Sequence, residues 1–146
     1  MRFEFWQRWL LVGCILTALF GLGMALLSAT PLFDVFNDLI DPVFWGDSTL
    51  PAEAIQFRGW AYALLGATML GWGITLAYLA HVPFRRRERW AWWAVALGMG
   101  SWYVIDTSAS LAFGVTFNAL FNTALLVLIG GLPLIFTYRE MRGAAS

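Results

Sequence analysis

From Trp90 to Tyr138 the chain carries one charged residue, Asp106. That tract is too long for one membrane crossing, for which about 20 apolar residues suffice. It is also too apolar for a soluble core to hide. A globular domain of 146 residues leaves roughly a third of its chain surface exposed. With 60% hydrophobic and 12% charged residues, this chain lacks the polar side chains to cover that surface. Soluble domains are about half apolar and a quarter charged. Lipid must cover the rest, in keeping with a mean hydropathy of +0.70.

Apolar runs at 9–28, 59–80, 90–112 and 115–138 predict four spanning helices. The expected fold is an all-α, polytopic integral membrane protein, a single transmembrane domain built as a four-helix bundle. Gly114, inside "LAFGVTFN", is the expected turn between the last two spans. Arg2 and Arg8 ahead of an apolar run are reminiscent of a secretory signal. That run is too long for one, and "LLSAT" lacks a small residue at the first cleavage position, so the segment is expected to stay. The single cysteine, Cys14, allows no intrachain disulfide.

Arginine sets the expected orientation. All nine basic residues are Arg, and eight of them lie at the ends that four crossings place on one side. These are Arg2, Arg8, Arg85, Arg86, Arg87, Arg89, Arg139 and Arg142. The positive-inside rule makes that side cytoplasmic, with both termini on it, as in a bacterial plasma (inner) membrane. Asp34, Asp38, Asp41, Asp47 and Glu53 fall on the other side, with Arg58. The "RRRER" run reads as a topology signal beside anionic headgroups, and no nucleic-acid partner is expected.

The outer loop, residues 29–52, contains its own amphipathic helix over 31–41. Thr30 is placed to cap it, Pro31 to start it and Pro42 to end it. Leu32, Phe33, Phe36, Leu39 and Ile40 form its apolar face, and Asp34, Asn37, Asp38 and Asp41 the opposite one. This carboxylate spacing matches no cation-binding loop, so the acidic face is expected to be solvated, without metal. Small residues recur every four along the first span (Gly13, Thr17, Gly21, Ala25) and the second (Gly59, Ala63, Ala67), with Gly66 and Gly73 nearby. Such stripes let helix backbones approach closely in lipid. Pro133 is expected to bend the last span.

The candidate site is built around Asp106. If the last two spans fold back at Gly114, Asp106 and Asn122 lie about 12 Å below the turn, at 1.5 Å per residue. Ser110 and Asn118 lie about 6 Å below it. Asp106, Ser110 and Tyr103 share one helix face, and Asn118 and Asn122 another. Tyr62 and Arg58, near the outer end of the second span, complete the candidate set. A charge at membrane depth is by default a functional hypothesis. The competing reading is a polar cluster that fixes helix register. No nucleophile and base share a depth, His81 is the only histidine, and no cofactor or catalytic residue is expected.

Three functions fit these residues. One is a non-catalytic membrane protein whose outer polar pocket binds a small amphipathic ligand or lipid. Another is an accessory subunit of a larger membrane complex. The last is a homo-oligomeric ion- or proton-coupled transporter using Asp106. The architecture resembles that of many small four-helix bacterial membrane proteins, a likeness of span count that transfers no residue roles.

Overall fold

The computed structural model describes residues 2–46 and 48–143. Asp47, read above as part of the acidic loop, lies outside them. The chain is 87% helical, with no strand among the described residues. In order come α1 (Arg2–Leu27), a short 3-10 turn (Pro31–Phe33), α2 (Asp34–Trp45), α3 (Ala52–His81) and α4 (Arg89–Ala112). Next is α5 (Thr116–Leu125), which runs through a π-helical segment (Leu126–Gly131) into α6 (Leu132–Gly143). Among the described residues three helices are long and apolar enough to cross a membrane: Arg2–Leu27, Ala52–His81 and the continuous Thr116–Gly143. At 24 residues α4 has the length. Its Trp, Tyr and Ser residues and Asp106 leave it less apolar than those three.

Both α1 and α3 begin about two turns before their apolar runs. Hydropathy marks the lipid-compatible part of a helix, not its ends, and Arg2–Arg8 and Ala52–Arg58 hold good helix formers. Pro42 does not end α2, as expected from sequence, but lies inside it. The helix ends three residues later at Trp45, and the next residue, Gly46, has a φ of +59° that suits glycine and an N–H that bonds the Pro42 carbonyl at 3.0 Å. Thr30 does not cap the following turn with its side chain. Its hydroxyl instead donates to the Leu27 carbonyl at 2.6 Å, one of the unpaired carbonyls at the end of α1.

The helices form two compact units. One contains the chain up to Leu16 and from Ile74 onward, and the other is Thr17–Gly73. In the first, α4 and α5 make a hairpin at Gly114. Val115 N–H bonds Ser110 O at 2.8 Å and Gly114 N–H bonds Leu111 O at 3.1 Å. Gly114 has φ +77°. This is the Schellman arrangement, which turns the chain sharply and satisfies the last carbonyls of α4. At the other end of α4, Arg87 has φ +61°, unfavourable for a residue with a Cβ. Its guanidinium lies 4.6 Å from the Phe3 ring centroid and 3.2 Å from the Glu140 carboxylate. One arginine thus joins the start of α1, the 82–88 turn and α6.

Pro133 acts through the π segment rather than through a simple kink. Leu132 N–H bonds the carbonyl five residues back, Val127 O. In that register Pro133 would bond Leu128 O, but it has no N–H. The Trp9 indole N–H fills the place, donating to Leu128 O at 2.7 Å. Gly13 and Gly130 receive side chains: a Cβ on either would fall 2.5 Å from Ile129 or Met99 respectively.

In the second unit α1 and α3 meet backbone to backbone. A Cβ on Gly66 would lie 2.5 Å from Ala25 N and from Gly21 O, and one on Gly73 would lie 2.6 Å from Ala18 N. The face of α3 that makes this contact is therefore Gly66 and Gly73. The stripe through Gly59, whose packing the sequence leaves undecided, does not make it at Gly59, which has open space around it. Gly66→Ala should force the backbones apart and cost about 1–3 kcal/mol, whereas Gly59→Ala should be tolerated. Thermal unfolding in detergent measures both, and equal melting temperatures for the two variants would contradict this packing.

Candidate functional site

The α4–α5 hairpin brings Asp106, Ser110, Asn118 and Asn122 together. Asp106 Oδ1 accepts from Asn122 Nδ2 at 2.9 Å, Asn118 Nδ2 at 3.0 Å and Ser110 Oγ at 3.2 Å. The Ser110 hydroxyl also lies 2.8 Å from the Asp106 carbonyl, and it accepts from Asn118 Nδ2 at 2.8 Å. Helix geometry explains the convergence. Asp106 and Ser110 are one turn apart on α4, Asn118 and Asn122 one turn apart on α5, and Gly114 lies midway. Ser110 and Asn122 are buried, and Asp106 and Asn118 partly so.

Asp106 Oδ2 accepts from the Trp102 indole N–H at 3.2 Å. Trp102 is a neighbour the sequence reading omitted, although it stands one turn before Asp106 on the same face. Both oxygens of the carboxylate therefore face donors from the chain itself. Charge-assisted bonds of this kind are among the stronger ones. They offset the removal of the carboxylate from water.

The remaining candidates lie elsewhere. Tyr103 shares a hydrogen bond with Thr123, at 3.1 Å between hydroxyls, so it links α4 to α5 beside the cluster. Arg58 forms its ion pair with Asp41 of α2. The acidic face of α2 is therefore not simply solvated: Asp41 is paired, and Asn37 is buried. Tyr62, one turn after Arg58, is buried too, with its ring 6.5 Å from that of Phe33. Its hydroxyl has no hydrogen-bond partner among the described residues, nor do Asn37 Oδ1 and Asp41 Oδ1.

Substituting Asp106 tests the cluster. Asn keeps Oδ1 for its three donors and gives up the Trp102 bond, so Asp106→Asn should cost little. Leu strands Asn118 and Asn122, at about 1–3 kcal/mol for each group left unsatisfied. Melting temperatures in detergent should therefore fall in the order wild type, Asn, Leu, with the larger step at Leu. Equal stability of the Asn and Leu variants would show that the carboxylate does not hold the hairpin. No family model, curated protein or solved structure matches the chain.

Proposed function

We propose that this chain is a four-span bacterial inner-membrane protein that works without catalysis, as a packing subunit of a larger membrane complex. In this reading α4 is the fourth span. Both termini and the 82–88 turn face the cytoplasm, and α2 lies at the outer surface. The distribution of arginine supports that orientation.

The observation that carries the accessory role is the bonding of Asp106. A carboxylate that captures a cation or relays protons keeps an oxygen open to its ligand or to water. Here Oδ1 has three protein donors and Oδ2 has Trp102. Such a group fixes the register of two helices. What the chain then offers outward is apolar surface. Leu97, Val104, Ile105, Leu111 and Leu120 on α4 and α5 are all exposed. Gly100 on α4 and Gly23 on α1 have nothing near them. Open glycines on apolar helices allow close approach by a further helix.

Two measurements test this. Affinity purification of the tagged chain from native membranes in mild detergent should recover a membrane protein partner in fixed ratio. Recovery of the chain alone, fully folded and with wild-type stability, would overturn the accessory role. For orientation, Cys14→Ala with Ser48→Cys should label with an impermeant maleimide added to the outer side of the membrane. Labelling only after permeabilisation would reverse the topology.

A further inference from the structure

The Thr17–Gly73 unit has a second polar group, and its bonding differs from that around Asp106. Asn37 and Asp41 stand one turn apart on α2, and Arg58 and Tyr62 one turn apart on α3. The two helices are joined by a short connection and run antiparallel. The Asp41–Arg58 ion pair fixes their register. One turn further in, the same register sets Asn37 opposite Tyr62. The outer rung is closed by the ion pair. The inner rung is not closed by the protein, for Asn37 Oδ1, Asp41 Oδ1 and Tyr62 Oη all lack protein partners. Asn37 and Tyr62 are each only 7% exposed, so bulk water does not serve them.

Three buried polar atoms on facing turns are costly unless something joins them. Their chemistry defines what fits. Asn37 Oδ1 and Asp41 Oδ1 accept, and Tyr62 O–H donates. Asp41 and Arg58 already neutralise one another, so a charged occupant would bring an uncompensated charge into a buried site. A neutral oxygen bearing hydrogen fits: water donates one hydrogen each to the carbonyl and carboxylate oxygens, an alcohol hydroxyl shares its single hydrogen between them, and either accepts from the tyrosine. We propose that Asn37, Asp41 and Tyr62 form a binding site for one hydroxyl oxygen. It is held beneath α2 and closed by the Asp41–Arg58 pair. Its source is either a water molecule, which commonly serves two to four buried polar groups, or a hydroxyl of a lipid's glycerol headgroup. The adjoining rings of Phe20, Phe33 and Phe36, with centroids 5.7–6.0 Å apart, give the site an apolar wall. This inference concerns a different part of the chain from the Asp106 hairpin and stands apart from the accessory role.

Tyr62→Phe is the central test, because it removes one oxygen and nothing else. With the site occupied, it should lower the melting temperature in detergent by a few degrees. Double-mutant cycles should then show that Tyr62→Phe is non-additive both with Asn37→Leu and with Asp41→Asn, since one oxygen joins all three. Adding phosphatidylglycerol distinguishes the sources. A lipid hydroxyl predicts that it raises the melting temperature of wild type but not of Tyr62→Phe. Water predicts that it raises neither selectively, while the cost of Tyr62→Phe persists. Two outcomes overturn the proposal. Tyr62→Phe as stable as wild type, or more so, would mean that the atoms are dry and unbonded. Coupling confined to Tyr62 and Asn37 would mean that those two side chains bond each other directly.

Discussion

Three helices of the described residues are apolar enough for a lipid environment, in which a polar group with no protein partner has almost no other. Three places show how that constraint is met. At Gly114 the backbone turns with its carbonyls bonded within the turn. At Leu128 a carbonyl left over by Pro133 takes the Trp9 indole from another helix. At Asp106 a carboxylate is enclosed by amide, hydroxyl and indole donors. Each solution also joins two elements, so the satisfaction of polar atoms and the assembly of helices are one process. Tryptophans near helix ends are usually assigned to the interface with headgroups. Here Trp9 and Trp92 also act as donors to backbone carbonyls, of Leu128 and Leu134.

Ser110, Asn118 and Asn122 are legible in the sequence as neighbours of Asp106. A hairpin with a glycine at its turn pairs residues equidistant from it, and 1.5 Å per residue converts that distance into height. The same arithmetic gives no help with Arg58. A long flexible side chain pairs with whichever carboxylate the fold brings near, and the position of α2 depends on a connection that hydropathy does not describe. Helix ends are poorly legible for a related reason. Apolar runs report lipid contact, whereas the helices begin in polar sequence. The contacting face of α3 was left open by the sequence because two small-residue spacings overlap there. Gly59, Ala63 and Ala67 give one stripe, Gly66 and Gly73 another, and only the geometry of α1 distinguishes them.

The two polar groups divide the labour that one aspartate suggested from sequence. Around Asp106 the donors come from the chain itself, and they join the two arms of the hairpin. Under α2 the ion pair leaves acceptors and a hydroxyl without protein partners. The polar group whose donors come from the chain and the one with unpartnered atoms thus belong to different units of the chain. A substitution in one can be judged without assuming damage to the other.

The π segment also settles a problem of phase. From Val115, which precedes the last long helix, the buried positions run through Ala119, Asn122, Gly130, Pro133, Leu134 and Thr137 to Met141. Seven turns of ordinary α-helix hold about 25 residues, one fewer than separate the first and last of these. A uniform helix would therefore rotate Met141 well away from the side on which Asn122 lies. A turn closed by a bond five residues back accommodates one extra residue. It behaves as a one-residue insertion absorbed inside the helix. Two stretches with their own hydrophobic patterns, one facing Asp106 and the other facing the Arg-rich end, can thereby lie along a single rod without either yielding its face.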